Sequence, residues 1–214
     1  VSQATFTINI ADTSKPQAYD DAKNAVVGAG SASTDLYTFG SAITFTDGNK
    51  LAGASGSTSM SSTLATAAAS NNGVWLSSSV ASSSTTSDAV VTSGKLVLND
   101  SDGNGSDTAA VMTPEFTLLS AATLSFDANV AGQSGSDSVQ WILYKKSGST
   151  YSEAGSSFKG VLTNATSQTF TTATELSTGT YRLAFTADDK TVSNALSVTV
   201  DNIKLGGGIA SVPV

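Results

Sequence analysis

Short segments of alternating apolar and polar residues recur about every ten residues from Gly73 onward, and this pattern constrains the fold more than any other feature. Gly, Ser, Asn or Asp separates one segment from the next. Short strands with this spacing are typical of a sandwich or jelly roll. The sequence therefore predicts an all-β fold, an antiparallel β-sandwich or jelly roll.

Residues 51–72 are the least regular part of the chain, because they are rich in Gly and Ser and contain one Ala-rich patch. Two interpretations stay open here: a long loop over the sheet, which we favour, or one short helix around Leu64 to Ala69. Any helix in the fold is expected to be confined to that patch.

Two of the predicted strands are informative in detail. SVQWILYKK carries large side chains on both faces, Trp141 among them, which predicts a central strand with Trp141 in the core. In LSVTVDNIKL, Val198 and Val200 point to one face. Asp201 is therefore expected on the opposite face, at the end of its strand.

Charge and residue usage exclude several functional classes. The net charge of −7 argues against nucleic-acid or anionic-lipid binding, since few cations are present to neutralise phosphates. No apolar run is long enough to cross a membrane. The absence of His excludes Ser–His and Cys–His nucleophiles and His-ligated zinc. Carboxylate or Ser–Lys chemistry is what remains for an enzyme.

The absence of Cys bears on stabilisation. A low charged fraction of 13% and a surface rich in Ser and Thr are typical of secreted bacterial surface modules. An extracellular domain without disulfides needs another form of stabilisation, and bound calcium is the common one.

An acidic stretch, NDSDGNGSDT, matches the first half of the D-x-[DN]-x-[DN]-G calcium loop. The twelfth position is Val111 instead of Glu, and the flanking segments are strands, so a helix–loop–helix site is excluded. Two interpretations remain, a calcium loop at a strand connection or a polar turn, and we favour calcium. The predicted ligands are Asp100, Asp102, Asn104 and Asp107, or a distant carboxylate that completes the shell.

The first residues, ATFTINIADTSKPQAYDD, resemble the junction between tandem Ig-like or cadherin-like repeats of giant RTX-type bacterial adhesins. In that family a Thr-rich strand precedes a D-x-x-x-P-x-A-x-D-D linker. The resemblance implies that Asp12, Asp20 and Asp21 bind calcium and stiffen the rod. It also implies that residues 1–20 end a preceding extender repeat and that residues 21–214 form a β-sandwich binding module.

The rest of the chain resembles a jelly-roll binding module of such adhesins. Phe126-Asp127 and Val200-Asp201-Asn202-Ile203 stand where these modules place strand-end motifs. The resemblance implies a module that holds sugars or peptides, often through calcium, with Asp127 and Asp201 as candidate ligands. The scarcity of aromatic residues departs from the carbohydrate-binding pattern.

Trp75 follows a loop and is a candidate platform for stacking a sugar ring, although core packing is the alternative. A hydrolase would need two carboxylates in a cleft, and no pair stands in a context that indicates one. Asp188, Asp189 and Lys190 resemble a solvated turn. No S-x-x-K motif supports a Ser–Lys nucleophile near Lys95, Lys145 or Lys146.

Together these features predict a non-catalytic, calcium-dependent adhesion module on the bacterial cell surface. Its expected partners are a cell-surface glycan or peptide and the adjacent domains of the same long chain, and the module is expected to be monomeric. A calcium-rigidified spacer is the alternative, and a polysaccharide hydrolase is the third. The length of the second unit favours binding, because it is nearly double an Ig-like repeat of about 100 residues.

Overall fold

A computed structural model describes residues 24–27, 34–37, 39, 45–46, 64–66, 68–69, 74–77, 89–100, 108–190, 195–207 and 210–213. The predicted strand in residues 1–10 and the expected domain boundary near Asp20 lie outside these ranges. Among the described residues, no helix has the length and hydropathy needed to span a membrane.

Almost all of the regular secondary structure in the described residues is β-strand, which confirms the predicted class. Within the described ranges, helical conformation is limited to residues 64–66 and 68–69 and to a 3₁₀ turn at Ser156–Phe158. The strands are β1 Asn24–Val27, β2 Thr34–Tyr37, β3 Phe45–Thr46, β4 Trp75–Ser77, β5 Ala89–Thr92, β6 Lys95–Asp100, β7 Ala109–Met112, β8 Phe116–Leu118, β9 Thr123–Ala131, β10 Ser138–Ser147, β11 Thr150–Glu153, β12 Lys159–Leu162, β13 Ala165–Thr171, β14 Gly179–Asp188, β15 Leu196–Gly206 and β16 Ala210–Pro213.

In this part of the chain the strands form two sheets that pack as a sandwich. Sheet one has 10 strands and follows the order β1-β16-β8-β14-β7-β4-β3, with β10 beside β14, and β11 and β12 beside β10. Sheet two has 6 strands in the order β13-β9-β15-β6-β5, with β2 beside β15. All pairs are antiparallel except β3 with β4. The main core lies between the sheets and includes Phe126, Trp141 and Phe185.

The predicted central strand is confirmed. β10 pairs with β14 along one edge and with β11 and β12 along the other. Trp141 faces the main core, while Ile142 and Tyr144 face a second apolar cluster on the outside of sheet one. Leu64 and Ala68 belong to that second cluster, so the helical residues cover it. The favoured loop interpretation is therefore wrong for residues 64–66 and 68–69, and the short-helix alternative is correct there.

Other expectations need correction. β1, β12 and β16 were not predicted, because all three are short and weakly alternating. β15 continues beyond Asp201 to Gly206, so Asp201 lies within its strand and not at its end. Asp188 and Asp189 are buried, not solvated, since β14 is covered on both faces up to its end.

Arg182 of β14 is completely buried and fastens the helical residues to sheet one. Its Nε donates to the Thr113 carbonyl at 2.7 Å, Nη1 to the Ala68 carbonyl at 3.2 Å and Nη2 to the Val74 carbonyl at 2.7 Å. A guanidinium presents several donors in a fixed plane, so a single side chain can satisfy carbonyls from three separate segments.

Candidate ligand-binding groove

An open groove of about 250 Å³ lies on the outer face of sheet two. We call it the Asp127 groove. Strands β6, β9, β13 and β15 contribute its lining, which consists of Lys95, Asp127, Ala128, Asn129, Thr166, Ser167, Thr199 and Asp201. Nearly all of these side chains are polar, in contrast to the apolar inner face of the same strands.

The alternation of each strand places these side chains. In β9 the apolar residues Phe126 and Ala128 point into the core, so Asp127 and Asn129 point outward. In β15 the buried Val200 leaves Asp201 on the outer face. Asp201 stands directly opposite Asp127 in the antiparallel register, which brings the two carboxylates together on one face.

Both oxygens of the Asp127 carboxylate accept a hydrogen bond. Thr169 Oγ1 donates to Oδ1 at 2.6 Å, and Asn202 Nδ2 donates to Oδ2 at 2.7 Å. These two bonds lower the pKa of Asp127 below its ordinary value, because they stabilise the charged form. The bond from Thr169 has the larger effect. The carboxylate is therefore fixed in orientation and ionised.

A β-bulge sets the position of Asn202. The register between β15 and β9 shifts between Asp201 and Lys204, and Asn202 adopts a left-handed conformation with φ of 51°. The Asn202 backbone N–H donates to Asp201 Oδ1 at 2.8 Å. Asn202 thus contacts both carboxylates of the groove, one through its backbone and one through its side chain.

The amide of Asn129 is oriented by its neighbour strand. Asn129 Nδ2 donates to the Thr166 carbonyl at 2.8 Å, which leaves Oδ1 as an acceptor. Thr199 pairs with Asn129 across the strands and supplies a hydroxyl. The floor of the groove is a set of oxygen acceptors with few fixed donors.

The two carboxylates of the groove have no ion pair within the described parts of the chain. The lysine nearest to them in sequence, Lys204, pairs instead with Asp35 at 3.7 Å. Lys95 lines the groove. The positive charges of Lys204 and Lys95 also lower the pKa of Asp127, but they are minor causes of the shift. The groove therefore keeps a local excess of negative charge.

The other predicted site residues are placed elsewhere or lie outside the described residues. Trp75 is half-buried in β4 of sheet one, where its ring meets Tyr37 at 5.1 Å and Phe39 at 6.0 Å between centroids. Its role as a ligand platform stays a prediction. The residues outside the described ranges are Asp12, Asp20, Asp21, Asp102, Asn104 and Asp107.

Asp100 can be placed by its backbone. It pairs with Leu196 of β15, five residues before Asp201. At 3.3 Å per residue the two positions are about 17 Å apart along the sheet. One calcium ion cannot be shared across that distance by side chains as short as Asp. Asp100 and the Asp127 groove are therefore separate locations.

Calcium binding by Asp127 and Asp201 stays a prediction. Calcium takes six to eight oxygens, whereas the groove brings together two carboxylates. In the described ranges no group of three or more acidic, His or Cys residues is arranged to hold a metal ion.

A serine–lysine contact occurs outside the groove. Lys145 Nζ donates to Ser177 Oγ at 2.6 Å, and Ser177 also contacts the Tyr181 hydroxyl at 3.2 Å. No motif predicted this contact, because the two residues are 32 positions apart. An ammonium that donates to the hydroxyl oxygen does not remove its proton, so the contact as observed does not make Ser177 a nucleophile.

Sequence reasoning identified Asp127, Asp201 and Asn202 by motif but missed the residues around them. Strand alternation would have placed Asn129 and Thr199 on the outer face, because both flank buried residues. Thr169 was not identified, since a cross-strand contact between β13 and β9 depends on pairing that no local pattern specifies.

No family model matches the chain, and no curated protein matches it. Solved structures similar to it include the K1 and K3 cleaved adhesin domains of Lys-gingipain from Porphyromonas gingivalis W83. The K1 domain has 17% identity and a TM-score of 0.35, covering 52% of this chain and 73% of that one. The K3 domain has 18% identity and a TM-score of 0.36, covering 54% and 75%. A carbohydrate-binding module, CBM4, has 14% identity and a TM-score of 0.40, covering 67% and 90%. Similarity this low does not identify a ligand.

Proposed function

We propose that this chain is a non-catalytic binding module of a bacterial surface adhesin and that it holds a glycan in the Asp127 groove. One observation carries the proposal: two carboxylates, one of them clamped by two hydrogen bonds, face each other in an open polar groove on an outer sheet face. Carboxylates at an exposed sheet face that make no ion pair there are costly to bring together, which favours a binding role over a structural one.

Sugar hydroxyls suit this groove chemically. Carboxylate, amide and hydroxyl oxygens accept hydrogen bonds, and each sugar hydroxyl has a proton to donate. Hydrogen bonds fix the orientation of the Asp127 and Asn129 side chains before a ligand binds. Little side-chain entropy is therefore lost on binding. Ring stacking on an aromatic residue is not required for this mode of recognition.

The hydrolase alternative needs one carboxyl that keeps its proton near neutral pH, to act as the general acid. Asp127 does not suit that role, because its hydrogen bonds to Thr169 and Asn202 lower its pKa. A hydrolase would therefore need another residue as its acid, and incubation of the chain with the bound glycan followed by product analysis tests this alternative.

Replacing both groove carboxylates, Asp127→Asn with Asp201→Asn, is expected to weaken glycan binding at least tenfold, about 1.4 kcal/mol. The substitution keeps the shape of each side chain but removes its negative charge. It also replaces one of the two acceptor oxygens of each carboxylate by an amide NH2 group, which is a donor. Binding is measured on a glycan array and then by calorimetry with the strongest binder. Glu153→Gln is the matched control, because Glu153 is a partly exposed carboxylate of sheet one, away from the groove. Unchanged binding in the double variant would exclude the groove, and a wild-type chain that binds no glycan would favour the spacer alternative.

Calcium dependence is a second part of the proposal, and we assign the ion to the acidic stretch Asp100 to Asp107, since the groove has too few ligands. Replacing Asp100 and Asp102 together by Asn is expected to reduce calcium affinity at least tenfold. Calcium should then raise the melting temperature of the wild type more than that of the variant, because a ligand held only by the folded state stabilises it. Identical melting with calcium and with EDTA, in both proteins, would show that the stretch is only a turn.

A further inference from the structure

A single residue, Asn202, contacts both carboxylates of the Asp127 groove. Its side-chain amide donates to Asp127 Oδ2, and its backbone N–H donates to Asp201 Oδ1. The two bonds leave from one residue in opposite directions because the bulge turns its backbone into the left-handed region. In a regular strand the side chain of residue 202 would point to the inner face, so it could not reach Asp127 on the outer one.

The left-handed conformation of Asn202 costs conformational free energy, which favours a functional role for this residue. A non-glycine residue with positive φ is uncommon, and Asn is among the residues that tolerate it best. Glycine would adopt the same backbone without strain, but it would provide no amide for Asp127. Strained positions of this kind cluster at binding sites, where the surrounding structure holds them in place.

We propose that Asn202 is the positioning residue of the groove, and that the two carboxylates it fixes select glycans rich in hydrogen-bond donors, neutral or amino sugars, over sulfated and carboxylated ones. This inference rests on the proposed function, because it names the ligand class of the same groove.

The inventory of hydrogen-bonding groups supports this ligand class. Asp127 and Asp201 offer acceptors, and Asn129 offers its carbonyl oxygen, because its amide nitrogen donates to the Thr166 carbonyl. Among the groove-lining residues, Lys95 is the one cation. A sulfate or carboxylate would bring further negative charge and acceptors to this floor, whereas hydroxyl and ammonium groups bring donors.

Asn202→Gly separates the amide from the backbone. The variant keeps the left-handed conformation and the N–H to Asp201, and it loses only the bond to Asp127. The pH titration of the Asp127 carboxyl carbon, followed by NMR, should move to higher pH, because one of the two bonds that hold its pKa low is gone. Affinity for the best neutral oligosaccharide should fall about fivefold or more, with the melting temperature within a few degrees of wild type.

Thr169→Val provides the second variant, since it removes the bond to Oδ1 without touching the bulge. It should raise the Asp127 pKa in the same direction and also weaken binding. The glycan probes are neutral gluco-, galacto- and manno-oligosaccharides, glucosamine oligomers, and sulfated or sialylated oligosaccharides, each measured against the wild type and both variants.

Three results would overturn the inference in separable ways. An unchanged Asp127 pKa in the Asn202→Gly variant, or full binding despite a raised pKa, removes the positioning role. Preference of the wild type for sulfated or sialylated probes overturns the ligand class while leaving a glycan-binding function. Absence of any glycan binding overturns the proposed function and the ligand class together, whereas the titration of Asp127 still decides the positioning role.

Discussion

Replacing Arg182 with Met is expected to lower the free energy of unfolding by about 3–5 kcal/mol, because Arg182 is completely buried. The three carbonyls that Arg182 satisfies belong to Thr113, Ala68 and Val74, so its loss leaves acceptors unpaired in three segments at once. An unpaired buried acceptor costs about 1–3 kcal/mol.

The measurement is chemical denaturation with tryptophan fluorescence, supported by thermal melting. For a chain of this size the expected loss corresponds to roughly 6–20 °C in melting temperature. Lys159→Met is the control, because Lys159 pairs with Glu153 at the surface and such pairs contribute about 0–1 kcal/mol. If Arg182→Met melted like this control, the helical residues would not depend on Arg182 for their attachment to sheet one.

Truncating Phe126 to Ala is expected to cost about 3–5 kcal/mol. Phe126 is 2% exposed and joins the two sheets. Its ring lies 5.5 Å from Trp141 and 5.1 Å from Phe185, both edge-on, and 5.2 Å from Phe170, which stacks on it. The cavity left by the ring would remove these contacts from both sides of the core, and the neighbouring residue Asp127 would lose its support.

Leu119→Ala is the matched control for Phe126→Ala, since Leu119 is 55% exposed and should change stability by no more than about 0.5 kcal/mol. Differential scanning calorimetry on the three proteins measures the effect. A loss below about 1 kcal/mol for Phe126→Ala would mean that the two sheets do not share one core at this position.

The sequence carried enough information for the fold class and for its central strand. Alternation in SVQWILYKK placed Trp141 in the core, and large residues on both faces correctly indicated that the strand is covered twice. Burial in such strands follows the two-residue alternation of the sequence, because each side chain points to one of only two sheet faces.

Pairing between distant strands was not predictable in the same way. Asp127 and Asp201 were each identified, yet their direct opposition depends on the register of β9 with β15, across more than 70 positions. The bulge at Asn202 was not predictable either, because a two-residue period carries no signal of the shift in register. Arg182 gave no sign of burial, since its carbonyl partners come from remote segments.

We propose that the glycan binds on the outer face of sheet two. Chemical-shift mapping with a neutral oligosaccharide tests this most directly. Backbone amide resonances of the chain are followed by NMR during titration with the best binder from the array. We expect the largest shifts at Asp127, Asn129, Thr199 and Asp201, with little change around Trp75 in sheet one. Shifts centred on Trp75, with the resonances of the Asp127 groove unmoved, would contradict it.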